Sequence, residues 1–289
     1  MARKLIIGCG YVGQRVAQRW LAQGDEVWAV TRSSQRAAEW AASQITPIVG
    51  DVLRPADWPD LPAFDVALWA VGLDRTAGHS QREVYVDGLR QTLARFAPRF
   101  AQFLYLSSTS VYGQNDGSWV SADSTCDPIS DSGRVCLAAE QVVREFFPAE
   151  RTTAHLLRLA GIYGPQRLIA RVQQLKAGEP LKAQPDGWLN LIHVDDIVTA
   201  IAACEHSTLG GETWLICDDR PIPRREYYQL LAELIGAPAP RYGPVPAAAG
   251  EGSGLNKRCS NAMAKQRLNW QPQFPSITEG LPDALRRTS

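Results

Sequence analysis

The sequence predicts an α/β fold built on a parallel sheet, and three features indicate it. An apolar run from Leu5 to Ile7 ends at a glycine, as expected for a strand buried on both faces. Val12, Val16 and Trp20 then recur at the spacing of one helix face. The chain has 289 residues, 45% of them hydrophobic, which suits one large domain or a domain with a smaller appendage.

The first strand leads into a glycine-rich turn of the form G-x-G-x-x-G. The first glycine would permit the tight turn, the second would let backbone N–H groups approach a pyrophosphate, and the third would let the helix pack on the strand. The helix N-terminus also favours negative charge. We therefore predict a dinucleotide site, with a purely structural glycine turn as the alternative. Its residues are Gly8, Gly10, Tyr11, Val12 and Gly13.

The second strand, Glu26 to Val30, indicates which dinucleotide is preferred. A carboxylate at its end would accept from the ribose 2′-hydroxyl of NAD, whereas an arginine suits the 2′-phosphate of NADP. No carboxylate stands there, and Arg32 and Ser33 follow the strand. The sequence therefore favours NADP, with NAD as the second choice. The alternative for Arg32 is a solvated loop residue.

Two further strands end where a cofactor would lie. A strand at Thr46 to Val49 is followed by Asp51 and Val52, and Asp51 could accept from an adenine amino group. The next strand, Phe64 to Ala70, leads into Val71 and a glycine, which are small enough for a cofactor to lie against them. Ligands collect at one edge of such a sheet. We predict that Asp51, Val52, Ala70 and Val71 contact the cofactor.

The strand Phe103 to Leu106 runs into a polar cluster at residues 107–110, Ser-Ser-Thr-Ser. A nicotinamide and a substrate carbonyl could meet at these hydroxyls. Serine and threonine are also ordinary turn residues, which is the structural alternative.

The composition argues against several classes of protein. Lysine plus arginine equals aspartate plus glutamate at 30 each, and there is no long basic run, so we expect neither a nucleic-acid partner nor an anionic membrane partner. The six cysteines are scattered and the histidines are not clustered, so we expect no zinc site and no disulfide framework. No apolar run is long enough for a signal-peptide core or a membrane span. We expect a cytoplasmic protein.

Several motifs in order carry a resemblance to a known family. Ser107 to Gly113 is similar to S-S-x-x-V-Y-G, and Arg158 with Tyr163 to Pro165 resembles R-x-x-x-x-Y-G-P. His193 to Asp196 resembles H-V-D-D, and Ser260 to Leu281 resembles the C-terminal pattern of the same family. The chain thus resembles the extended short-chain dehydrogenases/reductases, the NAD(P)-dependent sugar-nucleotide epimerases and dehydratases.

The resemblance implies a domain arrangement and a substrate class. Residues 1–164 would form a Rossmann-like, doubly wound parallel sheet to which residues 186–206 return, and residues 165–289 a smaller C-terminal α/β substrate domain. Ser108 would hydrogen-bond the oxygen of a nucleotide sugar or another small carbonyl substrate. The stretch from Ala237 to Gly254 would recognise the nucleotide part. A homodimer would form through helices near 80–96 and 133–147.

One departure from the family pattern places catalysis in doubt. The family uses Y-x-x-x-K, and here Ser132 stands in place of the tyrosine and Cys136 in place of the lysine. A serine without an activating partner is a poor proton donor, and a thiol supplies no fixed positive charge. The glycine pattern is also the shorter one of atypical members. Tyr112, Arg134 and His79 are weaker candidates for the missing role.

We therefore predict an atypical NAD(P)-dependent oxidoreductase or epimerase-like protein, with Ser108 and Ser132 as the catalytic candidates. A catalytically inactive NADP(H)-binding sensor or regulator is the alternative. A redox-active Cys136 beside the nicotinamide is a third hypothesis.

Overall fold

The computed structural model describes residues 1–148, 153–244 and 256–288, and its centre is a parallel sheet. The sheet has seven strands in the order β11-β7-β5-β4-β1-β2-β3, and six shorter strands form separate pairs. In chain order the strands are β1 (Arg3–Ile7), β2 (Glu26–Thr31), β3 (Ile45–Val49), β4 (Phe64–Trp69), β5 (Phe100–Ser108), β6 (Trp119–Val120), β7 (Thr153–Leu159), β8 (Gly161–Tyr163), β9 (Trp188–Leu189), β10 (Leu191–His193), β11 (Glu212–Ile216), β12 (Ile222–Pro223) and β13 (Arg258–Cys259).

The strand order places a topological switch point beside β1. This strand pairs in parallel with β2 on one side and with β4 on the other, so the chain winds first to one side of β1 and then to the other. Crossover connections leave on opposite faces at such a point, which opens a crevice at the carboxyl ends of the two strands. The predicted glycine turn begins at the carboxyl end of β1, so the fold directs attention to this edge.

The helices include the one that the spacing of Val12, Val16 and Trp20 predicts. In chain order they are α1 (Tyr11–Ala22), α2 (Ser34–Ala42), α3 (Gly88–Phe96), α4 (Asp131–Phe146), α5 (Ile169–Lys176), α6 (Val194–Glu205), α7 (Arg224–Leu234), α8 (Ala262–Leu268) and α9 (Ile277–Arg286). The sequence also predicts a strand over Asn190 to Val194; in the structure the strand ends at His193, and Val194 already begins α6. A π-helical turn, Glu83–Asp87, precedes α3.

The chain divides into two compact units. We call Met1–Ser108, Arg134–Leu157 and Ile201–Thr213 the first unit, and Thr109–Gly133, Arg158–Ala200 and Trp214–Ser289 the second unit. The domain ranges expected from the sequence, 1–164 and 165–289, concern cofactor and substrate binding and stay a prediction.

A buried ion cluster holds the end of α6 in the first unit. The ammonium of Lys4 lies 2.9 Å from a carboxylate oxygen of Asp25 and 2.6 Å from one of Glu205. The other carboxylate oxygen of Glu205 accepts a hydrogen bond from the indole of Trp20. These side chains are nearly inaccessible to solvent, so the end of α6 is fixed against β1 by paired charges rather than by apolar packing alone.

The second unit is held by the segment resembling H-V-D-D. Both carboxylate oxygens of the buried Asp196 accept backbone N–H groups, from Gln273 at 2.6 Å and from Phe274 at 3.1 Å. The carboxylate therefore ties the start of α6 to the approach to α9, which is a structural role. None of the described helices combines the length with the apolar composition that a membrane span requires.

Candidate functional site

Two of the three glycines in the turn are required by packing inside the protein. Gly8 has a φ of +94°, and a Cβ there would lie 2.5 Å from the backbone of Ala70 and Val71. A Cβ on Gly13 would lie 2.9 Å from the carbonyl oxygen of Gly8. Both contacts are shorter than any side chain tolerates, so the turn, the start of α1 and the end of β4 are in close backbone contact.

Gly10 is different, because a Cβ there would meet no atom of the described chain within 4 Å. This exposed residue is the N-cap of α1, which has no side-chain capping hydrogen bond and no acidic residue in its first turn. The helix therefore presents backbone N–H groups and the positive end of its dipole to open space. A site of this kind suits the pyrophosphate of a dinucleotide, and Tyr11, Val12 and Gly13 follow in the first turn of the helix.

Two arginines, Arg32 after β2 and Arg36 in the first turn of α2, follow the second strand, whereas the sequence indicates only the first. Arg32 lies 2.9 Å from a carboxylate oxygen of Asp74, with both side chains about half exposed. Hydrogen bonds from Thr76 lower the pKa of Asp74, and the bond from Arg32 lowers it further. Exposed pairs of this kind contribute little stability, so Arg32 can leave Asp74 for another anion.

Arg36 is not among the cofactor-binding residues predicted from the sequence. Ser33, predicted to contact the cofactor, accepts a hydrogen bond from the backbone N–H of Arg36 and caps α2. Burial raises the pKa of Cys9 to about 12, and the charge of Arg36 opposes this shift. The charge of Arg36 is therefore felt at Cys9, which lies in the glycine turn. Arg36 lies in the first turn of the helix that follows β2, and this position was the available signal.

The residues after β3 are partly committed to their own turn. One carboxylate oxygen of Asp51 accepts the backbone N–H of Leu53 at 2.9 Å, and its carbonyl accepts the indole N–H of Trp58. The second carboxylate oxygen makes no hydrogen bond in the part of the chain that the structure describes. A Cβ on Gly88 would lie 3.1 Å from the carbonyl of Val52. Asp51 thus keeps one acceptor for a ligand, whereas the Val52 backbone packs against α3.

The two serines that end β5 have different surroundings. Ser107 is buried and donates a hydrogen bond of 2.6 Å to the fully buried carboxylate of Glu140. Ser108, the last residue of the strand, is half-buried. Arg144 approaches the other oxygen of Glu140 at 3.4 Å. Glu140 lies one helical turn after Cys136, and the sequence reading did not assign it this role.

Two phenols lie near Cys136 in the first unit. The hydroxyl oxygen of Tyr85, in the π-helical turn, accepts the backbone N–H of Leu73 at 3.0 Å. Burial raises the pKa of Tyr85, the bond from Leu73 opposes it, and Cys136 raises it again. Burial raises the pKa of Tyr105 far above its usual value, and Cys136 adds to that shift. Both phenols therefore interact electrostatically with Cys136, and the pKa of each is raised rather than lowered toward neutrality.

Ser132 lies in the first turn of α4 and is half-buried. A Cβ on the next residue, Gly133, would lie 2.3 Å from the carbonyl oxygen of Ser110, so the start of this helix packs tightly on the turn that follows β5. Tyr112 is fully buried, and its hydroxyl accepts a 2.9 Å hydrogen bond from Arg158. This arrangement is that of a packing tyrosine rather than of a proton donor to substrate.

Three potential metal ligands, His193, Asp195 and Asp283, place their ligand atoms within 4.8 Å of one another. The guanidinium of Arg287 lies between the two carboxylates, 2.5 Å from Asp195 and 2.9 Å from Asp283. An internal cation thus already neutralises the carboxylates.

Most of the stretch expected to recognise a nucleotide, Ala237 to Gly254, lies outside the described residues, since 245–255 are not described.

Comparisons with known proteins agree with this geometry. Residues 5–217 match the model of the NAD dependent epimerase/dehydratase family. The chain is 28% identical to Protein YeeZ of Escherichia coli (strain K12) over 284 residues, which cover 95% of this chain and 97% of that protein.

Solved structures show the same fold over the whole length. A conserved protein of unknown function from Silicibacter pomeroyi superposes with a TM-score of 0.81 at 27% identity, covering 99% of both chains. A variant of UDP-glucuronic acid 4-epimerase from Bacillus cereus, in complex with a UDP-sugar analogue and NAD, also has a TM-score of 0.81, at 18% identity over 99% of this chain and 98% of that chain. At that identity the likeness concerns the fold alone.

Proposed function

Because the chain belongs to the NAD dependent epimerase/dehydratase family, we propose that it binds NADP(H) on its glycine turn and acts on a nucleotide sugar or another small carbonyl compound. The observation that carries the proposal is Gly10. Packing explains Gly8 and Gly13, whereas no atom of the described residues lies within 4 Å of a Cβ at Gly10, so a ligand that needs bare backbone at the helix N-terminus accounts for it.

The first unit supplies the other contacts that the proposal needs. Arg32 and Arg36 offer two guanidinium groups for a 2′-phosphate, which supports NADP over NAD. Ala70 and Val71 bring the end of β4 against the turn, and Asp51 keeps one carboxylate oxygen for an adenine amino group. When bound, the nicotinamide supplies a hydride donor or acceptor.

In the proposed reaction Ser108 hydrogen-bonds the substrate oxygen, and Ser132 takes the position of the family tyrosine. Ser107 does not take this role, because its hydroxyl group already donates a hydrogen bond to Glu140. The Glu140 carboxylate fixes the side chain that precedes Ser108 and so orients the end of β5. A neutral serine donor makes proton transfer slower than a phenol of lowered pKa would, so we expect slow turnover.

A catalytically inactive NADP(H) sensor is the second candidate, and the replacement at position 136 favours it. Cys136 is a buried thiol where the family has the lysine that lowers the pKa of the tyrosine. A panel of sugar aldehydes, ketones and nucleotide sugars distinguishes the two functions, with NADPH oxidation followed for the carbonyl compounds and product analysis for the nucleotide sugars, because epimerisation consumes no net NADPH. Oxidation or sugar conversion that Ser108→Ala abolishes supports the enzyme; tight cofactor binding with neither supports the sensor.

Two coarser expectations complete the proposal. Arg90 of α3 forms a 2.5 Å ion pair with Glu145 of α4, so these two helices share one exposed face, and we propose that a homodimer forms there. Light scattering of the wild type tests the dimer.

All six cysteines lie in the described ranges as thiols, which supports the proposed cytoplasmic location.

Calorimetric titration with NADPH and NADH tests cofactor binding in the wild type and in two variants, Gly10→Val and Arg36→Ala. We expect Gly10→Val to weaken both nucleotides at least about tenfold, because a branched side chain occupies the space of the pyrophosphate. We expect Arg36→Ala to weaken NADPH selectively. Equal affinity of Gly10→Val and wild type would contradict the site, and equal losses for NADPH and NADH in Arg36→Ala would contradict the NADP preference.

A further inference from the structure

The second unit contains two buried cations that no carboxylate balances among the residues that the structure describes. Lys257 is 4% exposed and Arg224 is 8% exposed. The ammonium of Lys257 donates to the backbone carbonyl of Tyr112 at 3.1 Å, and this is its one hydrogen bond within the described chain. The guanidinium of Arg224 makes none there, and its Nη1 atom is shielded from solvent. Burying unpaired charge is unfavourable, so the fold retains these cations against a free-energy penalty.

The two cations lie in the same region of the second unit. The backbone N–H of Arg224 donates to the carbonyl of Gly187, and a Cβ on Gly187 would lie 2.4 Å from Nη1 of Arg224. The next residue, Trp188, donates its N–H to the side chain of Asn256, the neighbour of Lys257. Burial lowers the pKa of Lys257 to about 8, Cys259 opposes this, and the charge of Arg224 lowers the pKa further.

The backbone around Lys257 is fixed on both sides. The amide of Asn190 donates to the carbonyl of Lys257 at 2.9 Å and accepts the N–H of Cys259 at 2.7 Å. The carbonyl of Asn256 accepts the N–H of Gly117 at 2.7 Å. A cation on such a rigid segment cannot swing out to solvent, so its position is set before any ligand arrives.

The one buried acid nearby does not neutralise the pair. The charges of Asp218 and Lys257 both influence the pKa of Cys259. In the part of the chain that the structure describes, the carboxyl of Asp218 nevertheless lies beyond ion-pair distance of both cations. Burial raises the pKa of Asp218 to about 8, so it is mostly protonated and uncharged at neutral pH.

We propose that Lys257 and Arg224 form a binding site, within the second unit, for a compact oxyanion group of a small-molecule ligand, a phosphate or a carboxylate. A guanidinium offers a planar pair of donors and an ammonium a point charge with two unused hydrogens, and both are groups that bind phosphates and carboxylates. The site involves no residue of the glycine turn, so it stands or falls independently of cofactor binding.

Thermal unfolding of the full chain, followed by tryptophan fluorescence, tests the site. Inorganic phosphate and acetate are each compared with chloride at equal ionic strength. A larger rise in melting temperature with phosphate than with acetate would show that the site prefers the tetrahedral anion. We expect one of these anions to raise the melting temperature of the wild type. Lys257→Met should abolish that shift and weaken the anion at least about tenfold, because a charged hydrogen-bond donor is lost.

The same variant separates a ligand site from a structural cation. Without anion, Lys257→Met should melt at a higher temperature than the wild type, because an uncompensated buried charge has been removed. Arg224→Gln reports on the site independently should Lys257→Met fail to fold. Arg225→Met is the matched control, since this neighbouring arginine is exposed and paired with Asp186, and it should keep the full anion response.

Three outcomes would overturn the proposal. The first is a wild type whose melting temperature responds to neither anion. The second is a lower melting temperature of anion-free Lys257→Met, which would make the cation structural. The third concerns Glu251, the one carboxylate in the undescribed segment 245–255. An anion response that appears only in Glu251→Gln would show that the chain supplies its own counterion.

Discussion

Two lysines, one in each unit, are equally hidden from solvent and differently surrounded. Lys4 in the first unit is 6% exposed and lies within 2.9 Å of carboxylate oxygens of both Asp25 and Glu205. Lys257 in the second unit is 4% exposed, and its ammonium has one hydrogen-bond partner among the described residues, the backbone carbonyl of Tyr112. The comparison teaches that burial alone does not identify a functional charge. The presence or absence of counter-charges separates a structural cation from one that awaits a ligand.

Removing each lysine is the strongest way to test this comparison. Lys4→Met leaves Asp25 and Glu205 buried without their cation, and we expect a loss of about 3–5 kcal/mol in the free energy of unfolding. Lys257→Met should show no such loss. Urea denaturation of both variants measures the difference.

Lys265→Met is a suitable control for the pair of variants. Its ion pair with Asp219 is about one-third exposed on both sides, so we expect a change of at most about 1 kcal/mol. Equal destabilisation by Lys4→Met and Lys257→Met would remove the distinction between the two lysines.

The pH dependence of stability provides a second test, with an effect of about 3 kcal/mol. The pKa of Lys257 is about 8 in the folded chain and about 10.4 when unfolded, so the unfolded state binds the proton more tightly. Below pH 8 both states carry this proton. Stability is therefore reduced at neutral pH, and it recovers as the pH rises from 8 to 10.4 and both states lose the proton. The gap between Lys257→Met and wild type should narrow over this window.

Urea denaturation at a series of pH values between 7 and 10.5 measures that gap. Taking the difference between the variant and the wild type cancels the titration of the other groups that both proteins share. A gap that stays constant over the window would mean that Lys257 keeps an ordinary pKa and has found a counter-charge.

The smallest expected effect extends the comparison to Arg32, an exposed cation with a partner. Asp74→Asn removes the charge that holds Arg32, and we expect the affinity for NADPH to rise up to about fivefold, in line with the modest strength of exposed pairs. The affinity for NADH should not change. Calorimetry with both nucleotides measures the effect, and weaker NADPH binding would show that the pair positions Arg32 for the cofactor.

The predicted strands follow from local pattern, and the structure confirms each of the first five with ends shifted by at most three residues. Leu5 to Ile7 and Phe103 to Leu106 are short apolar runs, and both lie inside central strands. The start of α6 was the exception, because Val194 is apolar and fits either a strand or a helix. Apolar periodicity identifies an element well and its ends poorly.

The candidate site divides in the same way. The glycine turn could be predicted because a tight turn, a close approach and an open N-terminus each demand a missing side chain at a set position. The contact between Ser107 and Glu140 spans 33 residues, and that between Lys257 and Tyr112 spans 145. No local pattern encodes such pairs, because packing of distant elements brings them together.

The sequence by itself therefore determined the fold class, the family and the position of the glycine turn, since backbone conformation and apolar burial depend on neighbouring residues. Only the tertiary structure decided which charges are balanced. Lys4 and Lys257 are indistinguishable as letters in a chain, and whether a carboxylate reaches a buried ammonium depends on elements up to 201 residues away. The electrostatic energy of a buried group is set by those distant neighbours, and for that reason functional charges are recognised in space and not in sequence.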